Sequence, residues 1–508
     1  MVFSFIGVSI VTLTVALPMA EMCSMYPVAG GQYSWVAVLA PRQLGRGLSY
    51  VTGWFMLIGM PENESNSLQN VLADVESGIL AMGATNNSVA SNFVLGMANL
   101  IFQDYTIQRW QIVLVAYLAA LLSTAVNIWG SHLLHRLSKI MLCWNVASFI
   151  IITIVLLATN NHKQSTAFVF SDFQNMTGWG SGMASIIGIL QSCFGMCCYD
   201  APSHMTEEMK SPSKEAPRAI VLSVALGAVT GLVFLLTLCF CIGDIATTAN
   251  SSTRVPVIQI IYDSTGSKTA TCILSSMITV IVFVAGNNLL AEGSRAAYAF
   301  ARDSGLPFSK VFSKVEKKSQ VPVNAVLLTL VVQLALDAIQ FGTTTGFETV
   351  VSIATEGFCK RPPSSLKQSS RPNSQTYSLP LDVSYALVLF SRVIGFFSGH
   401  VVELNGPFSF PTPISITLNI VGLVFLLFAS ITFNFPSTYP ITQNSMNYTS
   451  AAIGVIGLIS IVTWFTTGRK HFTGPGAVRF LEGENTMPDA VNAVNAARAA
   501  KDEMEKNN

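Results

Sequence analysis

This sequence carries little charge. Asp, Glu, Lys and Arg together make up only 11% of its 508 residues, whereas about a quarter of an average soluble domain is charged. Hydrophobic residues make up 51% of the chain, and the mean hydropathy is +0.52. The apolar residues come in runs of about 18–25, which are long enough to cross the hydrocarbon core of a bilayer as helices. The composition argues against a soluble protein and predicts an all-α polytopic membrane protein.

Several kinds of functional motif are also missing. The nine cysteines show no disulfide or zinc spacing, and most lie inside apolar runs, where they act as small hydrophobic residues. Those in apolar runs include Cys193, Cys197, Cys198, Cys239 and Cys241. There is no phosphate-binding glycine loop, no zinc-protease helix and no Gly-x-Ser-x-Gly turn. A net charge of +1 gives no sign of nucleic-acid binding. We therefore expect no metal and no cofactor, and an enzyme is the least supported functional class.

The apolar runs predict eleven membrane spans, two of them interrupted. They lie at roughly 2–20, 50–102, 111–130, 138–158, 182–201, 218–243, 270–297, 322–341, 346–397, 413–434 and 449–467. Lys and Arg are concentrated in alternate connections, which the positive-inside rule places in the cytosol. Glycosylation sequons at Asn175, Asn250 and Asn447 fall in the opposite set. Both signals predict a cytosolic C-terminus, and we expect the plasma membrane as the location.

Polar segments at 61–82 and 359–382 interrupt two of these spans. They cannot lie in lipid, because their backbone amides would be unsatisfied and their charges unsolvated. Removing each one joins two short apolar runs into a full span, which favours insertions. The alternatives are separate short helices or broken helices that line a cavity. The predicted organisation is a transmembrane domain over 1–470 with two insertions, followed by a cytosolic polar tail over 471–508.

The segment CCYDAPSHMTEEMKSP, residues 197–212, carries a cluster of polar residues at the end of an apolar run. Asp200 lies near the end of the span 182–201, and a carboxylate at the centre of a membrane helix costs about 2.5–3.5 kcal/mol. Pro202 cannot continue the helical hydrogen bonds, so a break or kink is predicted at this acid, with backbone groups free to bind a charged solute. The alternative is a hydrated, structural Asp200 at the membrane interface. The polar residues that follow, His204, Glu207 and Glu208, are more simply interpreted as a solvated, salt-bridged loop.

Two further stretches are polar at the ends of apolar runs. EMCSMYPVAGGQYSWV, residues 21–36, contains Pro and two Gly residues and is typical of a turn. AEGSRAAYAFARDSGLPFSKVF, residues 291–312, is typical of a charged helix end with small residues for close packing. Glu356 is another acid beside an apolar run, directly before the second insertion.

These stretches carry a resemblance to a known family. EMCSMYPVAGGQYSWVAVLAP, YDAPSHMTEEMKSPSKEAPRAI and SRAAYAFARDSGLPFS resemble, in order and spacing, the fungal amino-acid/choline/GABA permeases of the amino acid–polyamine–organocation superfamily. The likeness covers nearly the whole chain except the insertions and the tail. It implies a fold of twelve spans built on a five-plus-five inverted repeat. About eleven of them are expected here, because the chain begins where the second helix of the family begins.

The resemblance also implies a location for the substrate. In that fold the first and sixth helices are unwound midway and hold the substrate, and the span 182–201 corresponds to the sixth. The implied binding residues are Phe194, Gly195, Met196, Cys197, Cys198, Tyr199 and Asp200. Phe194 falls at the position of an aromatic gate, and Asp200 where some relatives use a coupling acid. Asn145, near the position of a proton-mimicking lysine in some bacterial relatives, and Glu356 are the other coupling candidates.

The resulting hypothesis is a secondary transporter that moves an amino acid or a related amine such as GABA, choline or a polyamine by alternating access. Protons are the expected coupling ion, and membrane lipid is the expected surrounding. A non-transporting sensor of the same solutes is the alternative. An inactive, truncated permease is another, because an internal-looking first methionine and two insertions predict an incomplete or mis-spliced chain.

Overall fold

The computed structural model describes most of the chain. The described residues are 2–57, 79–102, 104–173, 175, 177–194, 196, 198–249, 251–316, 320–342, 379–432, 435, 439, 457–472 and 474–476. Within these ranges the regular structure is helical throughout, without a strand. The helices are α1 (Val2–Met25), α2 (Gln32–Leu39), α3 (Arg42–Leu57), α4 (Ile79–Ile101), α5 (Arg109–Trp129), α6 (Ser131–Thr159), α7 (Thr166–Phe170), α8 (Ser181–Phe194), α9 (Ala201–His204), α10 (Pro212–Cys241), α11 (Ile245–Ala249), α12 (Pro256–Thr265), α13 (Lys268–Arg302), α14 (Ser309–Phe312), α15 (Val323–Gly342), α16 (Leu379–Phe397) and α17 (Thr412–Thr432).

Six of the described helices are long and apolar enough to cross a membrane: α1, α5, α10, α13, α17 and the part Lys139–Thr159 of α6. Shorter apolar helices lie at Val323–Ala338, Val383–Phe397 and Gly457–Thr466. A helix lies within each of the eleven predicted spans, so the predicted fold class of an all-α polytopic membrane protein is confirmed.

The outer faces of these helices are apolar. Large apolar side chains are more than half exposed on five different helices, namely Ile10, Leu118, Ile154, Val229 and Val424. Apolar side chains this exposed on so many helices would be unfavourable in water, where large exposed apolar patches are rare. A lipid environment removes that penalty, and the polar side chains turn inward instead.

The interrupted spans begin again slightly earlier than predicted. Helix α4 starts at Ile79 and α16 at Leu379, so the last four residues of each predicted insertion, 79–82 and 379–382, are helical. For α4 the reason is apolar packing, because Leu80 is buried against Leu336 of α15. The predicted insertion residues 61–78 and 359–378 lie outside the described residues.

The beginning of the predicted tail packs onto the helices. Phe472 is fully buried, and its ring lies 5.2 Å from that of Tyr50 and 6.0 Å from that of Phe300. Arg46 donates hydrogen bonds of 2.6 Å to the carbonyl oxygens of Arg469 and Phe472. The packed part of the chain therefore continues past residue 470, and residues 477–508 of the predicted tail lie outside the described ones.

Helix α1 is the centre of the packing that positions the site. It contacts α10, α16 and α17 through the small and apolar residues Ala16, Met19 and Cys23. Close approach to α17 requires Gly422, because a Cβ there would lie 2.9 Å from the carbonyl oxygen of Thr14. The loop after α1 and the segment before α9 rest on the same core.

Candidate functional site

The predicted break in the helix is present, but it begins earlier in the chain. Helix α8 ends at Phe194, and the next helix begins at Ala201. Cys198, between them, has a backbone φ of 60°, in the left-handed region that residues other than glycine rarely adopt. The prediction that Pro202 causes the break is wrong. Pro202 lies in the first turn of α9, where a missing backbone N–H costs no helical hydrogen bond.

Asp200, directly before α9, is fully buried. The hydroxyl of Tyr385, on α16, donates a hydrogen bond of 2.5 Å to Oδ1. Gln32, the first residue of α2, donates through Nε2 to Oδ2, and Nε2 of His204 lies 3.3 Å from the same oxygen. The alternative of a hydrated Asp200 at the membrane interface is therefore wrong. One carboxylate joins three separate elements.

His204 is buried as well, so its interpretation as part of a solvated loop is wrong. Its Nδ1 lies 3.0 Å from the carbonyl oxygen of Ala29. A carbonyl only accepts, so we assign the proton to Nδ1, and Nε2 faces Asp200. The loop can approach this closely because residue 31 is glycine. Gly31 has a φ of 53°, and a Cβ there would lie 2.8 Å from the His204 ring.

Glu292 is a second buried acid beside Asp200 and His204. It is buried on α13, and one of its carboxylate oxygens, one of Asp200 and a ring nitrogen of His204 all lie within 4.8 Å of one another. Two carboxylates and one imidazole leave a net charge of −1 even when the imidazole is protonated. Such a group needs one more positive charge when it is buried.

A proton or a metal ion would supply that charge, since imidazole nitrogen and carboxylate oxygen also ligate divalent metals. Both Asp200 oxygens already accept hydrogen bonds from protein donors, one from Tyr385 and one from Gln32. That occupancy suits a proton better than a metal ion. We call Asp200, His204 and Glu292 the acid–histidine group.

Two ion pairs lie next to the acid–histidine group. Arg302 donates to both carboxylate oxygens of Glu207, at 2.9 and 3.1 Å, and Arg295 pairs with Glu208 through Nε and, at 3.3 Å, through Nη2. The arginine side chains are 12% and 11% exposed, and the glutamates 38% and 53%. The prediction of salt bridges at the glutamates is confirmed, but their partners lie on α13. We call these contacts the α13 ion pairs.

Asp303, directly after α13, makes a third connection. It accepts a hydrogen bond of 2.8 Å from the hydroxyl of Tyr33 and one of 3.3 Å from the backbone N–H of Gly476. Burial raises the pKa of the Asp303 carboxyl above its ordinary value, although Arg302 opposes this. The three polar stretches that are far apart in the sequence, 21–36, 197–212 and 291–312, thus meet in one place.

The structure brings together only some of the predicted site residues. The ring of Tyr199 lies 5.3 Å from that of Tyr385, at a tilt of 38°, beside Asp200, and Met196 is buried against Phe5 of α1. Phe194 ends α8, but its side chain, Gly195, Cys197 and Glu356 lie outside the described residues, as do the sequons at Asn250 and Asn447. Asn145 is exposed on α6 and is not part of the acid–histidine group; Asn175 is exposed after α7.

Three important residues were missed from the sequence. The sequence does contain a signal for Glu292, because an acid at the end of a long apolar run is often functional. Gln32 carried a weaker one, since it follows two glycines in a polar turn. Tyr385 carried none, because 185 residues separate it from Asp200 and nothing local marks the contact.

Comparison with known proteins agrees with this architecture. The family model described as "Amino acid permease" matches residues 78–459. A protein of Macrophomina phaseolina named as an amino acid/polyamine transporter is 53% identical over 453 residues, which cover 89% of this chain and 90% of the relative. The "Choline transporter" of Saccharomyces cerevisiae is 28% identical over 93% of this chain and 74% of its own length. "Amino-acid permease BAT1" of Arabidopsis thaliana is 27% identical over 91% of this chain and 84% of its own.

Proposed function

We propose, since the chain belongs to the amino acid permease family, that it moves an amino acid or a related amine together with protons, by alternating access, across the plasma membrane. The family makes the chain a multi-pass transmembrane transporter of amino acids or amines. Its relatives are named as permeases and transporters, which are not enzymes. Coupling ion, substrate choice, orientation and membrane are our proposals.

The substrate class follows from the names of the relatives. One is named for amino acids and polyamines and another for choline. All these solutes carry a cationic nitrogen, and we assign a solute of this kind to the segment Phe194–Asp200. A helix that stops at Phe194 leaves its last backbone carbonyl groups without partners in the helix, and such carbonyl groups suit the cationic nitrogen of a small solute.

The single observation that carries the proton coupling is the charge of the acid–histidine group. Asp200 and Glu292 are both buried, within 4.8 Å of each other and of His204. The group is one positive charge short, and an exchangeable proton supplies it without disturbing the hydrogen bonds on Asp200. Asn145 has no proton to exchange in the normal pH range, and Glu356 stays a prediction outside the described residues.

The α13 ion pairs complete the proposed cycle. With the orientation that the Lys and Arg distribution predicts, they lie on the cytosolic side of Asp200. They tie Glu207 and Glu208 to α13, and we assign to these charged contacts the closing of the path from Asp200 to the cytosol. Release of the substrate inward then requires these contacts to separate, and the exposed glutamates are the partners that move into water.

Uptake into proteoliposomes tests the proposal. The full chain is reconstituted, and accumulation of a labelled amino acid, choline and a polyamine is measured with and without an inward proton gradient. We expect accumulation of at least one solute that collapses with the gradient, and its loss in Asp200→Asn. Arg218→Gln is the control, because its ion pair with Glu215 is solvent-exposed and lies outside the site.

Two outcomes would contradict the proposal. Accumulation that ignores the proton gradient would remove the coupling. Stabilisation of the protein by a solute that is never accumulated would favour the alternative function, a sensor of the same solutes.

A further inference from the structure

Helix α15 carries a polar stripe on its protein-facing side. Its members, Thr329, Gln333, Asp337 and Gln340, are spaced four, four and three residues apart, which places them on one face of a helix. All four are buried, whereas the apolar Leu327 and Val331 are exposed. The stripe therefore faces the other helices, and its side chains are hidden from both lipid and water.

Most members of the stripe have partners. Gln333 accepts a hydrogen bond of 3.3 Å from Asn87 of α4, and Gln340 donates one of 3.0 Å to Ser88 of the same helix. Residue 83 of α4 is glycine, and a Cβ there would lie 2.0 Å from Nε2 of Gln333. Helix α4 is thus shaped to take the polar side chains of α15.

Asp337 is the exception. It is fully buried, and both of its carboxylate oxygens lack a hydrogen-bond partner in the described part of the chain. The Nε2 donor of Gln333, one turn earlier on the same face, also lacks a partner there. Asp337 is not in the acid–histidine group, and the proposed transport cycle does not use it.

The neighbouring helices supply no counter-charge. Helices α4, α5, α13 and α14 pack against α15, and α4 has no titratable side chain. The titratable or charged side chains of the others are those of Arg109, Tyr117, Lys268, Cys272, Glu292, Arg295, Tyr298, Arg302 and Lys310. Among the described residues, none of them forms an ion pair with Asp337. The Tyr117 hydroxyl, on α5, donates instead to the carbonyl oxygen of Leu334, at 3.0 Å.

An ionised carboxylate without a partner is very unfavourable at such a place. It can be neutralised by a bound cation or by a proton. A cation needs several oxygen ligands, but the unpartnered neighbour on the same face, Nε2 of Gln333, is a donor that repels it. A proton needs no further ligand.

We propose that Asp337 is a second proton-binding site of this permease, a carboxylic acid that stays neutral inside the helix bundle. The site is formed by α15 and lined by α4, and it is separate from the acid–histidine group. It does not depend on the identity of the substrate or on the proposed coupling.

The neutral acid has a distinctive reactivity that a carboxylate lacks. Its O–H adds across one C=N bond of a hydrophobic carbodiimide: the proton goes to nitrogen, and the carboxyl oxygen bonds to carbon. The resulting O-acylisourea rearranges to a stable N-acylurea, so no atom is lost and nothing is oxidised or reduced. A hydrophobic carbodiimide reaches such a site through lipid, whereas a water-soluble one does not.

The test treats the full chain in proteoliposomes with dicyclohexylcarbodiimide at neutral pH and maps adducts by mass spectrometry. We expect an adduct of the whole reagent on Asp337 and its loss in Asp337→Asn. In a parallel sample at mildly acidic pH, where exposed carboxylates are partly protonated, a water-soluble carbodiimide should modify the exposed Asp263, as the control, and leave Asp337 unmodified.

Infrared spectroscopy gives a second readout, the difference between the spectra of the wild-type chain and of Asp337→Asn. A carbonyl band of a protonated carboxylic acid is expected, and it should be absent from Asp337→Asn. An unmodified Asp337 with no such band would overturn the proposal. Labelling that sodium ions suppress would overturn it in favour of a cation site.

Discussion

Tyr385→Phe removes one hydrogen bond from Asp200 and changes little else. The tyrosine is 1% exposed, and a phenylalanine ring keeps its contact with Tyr199 and fills the same space. The lost bond runs from the phenol to Oδ1 of Asp200. A hydrogen bond to a charged group contributes about 1.5–3 kcal/mol, and one pH unit corresponds to about 1.36 kcal/mol.

The sign follows from which form of Asp200 the bond favours. Tyr385 donates, so it stabilises the ionised carboxylate, and without it Asp200 keeps its proton at higher pH. Proton-driven uptake by Tyr385→Phe should therefore extend to higher pH, with a midpoint about one to two units above that of the wild type.

Initial rates of uptake into proteoliposomes, measured from acidic to mildly alkaline pH, give these midpoints. Tyr50→Phe is the matched control, because Tyr50 is also a buried tyrosine but lies in the aromatic cluster around Phe300 and Phe472. An unchanged midpoint in Tyr385→Phe, together with normal insertion into the membrane, would refute the assignment of Asp200 as the coupling acid.

Three further predictions concern other parts of the site. Glu207→Gln combined with Glu208→Gln should open the path to the cytosol a few-fold more often, because partly exposed ion pairs contribute about 0.2–1 kcal/mol each. A cysteine placed near Asp200 should then react faster with a thiol reagent added on the cytosolic side. An unchanged rate would contradict the role of the α13 ion pairs in closing this path. Gly31→Ala should lower thermal stability by at least about 1–2 kcal/mol, since a left-handed φ disfavours a side chain and the new Cβ would overlap the His204 ring; wild-type melting would contradict that contact. A cysteine at Asn175 should react with an impermeant reagent applied outside whole cells, and labelling only after permeabilisation would invert the orientation.

The sequence predicts the helices well because hydropathy is a local property. Each predicted span contains a helix, and the acid at position 200 does lie beside a helix break. The position of the break could not be predicted from Pro202, because proline is favourable at the start of a helix and unfavourable only in its interior. Sequence shows the proline but not which of these positions it takes.

The site itself was only half predictable, for a physical reason. His204 follows an apolar run and precedes two glutamates, which locally is typical of a solvated loop. It is buried because its Nδ1 bonds to the carbonyl oxygen of Ala29 while its Nε2 lies against Asp200, and Ala29 is 175 residues away. Gln32 and Tyr385 reach Asp200 across 168 and 185 residues. No local pattern encodes contacts of that range.

The separation of Asp200 and Tyr385 along the chain also sets a delay during protein synthesis. A ribosome adds about 5–20 residues each second, so roughly 10–40 s pass between the synthesis of the acid and that of its phenol donor, 185 residues later. During that interval the nascent permease holds a carboxyl group that lacks one of its hydrogen-bond donors, although Gln32 has already been made. Until then the Asp200 carboxyl must stay hydrated or protonated, because an unpaired charge in lipid is very unfavourable. We expect Asp200 to become buried only when α16 packs against it. A chain whose synthesis stops before Tyr385 would therefore leave this acid exposed to the quality control of new membrane proteins.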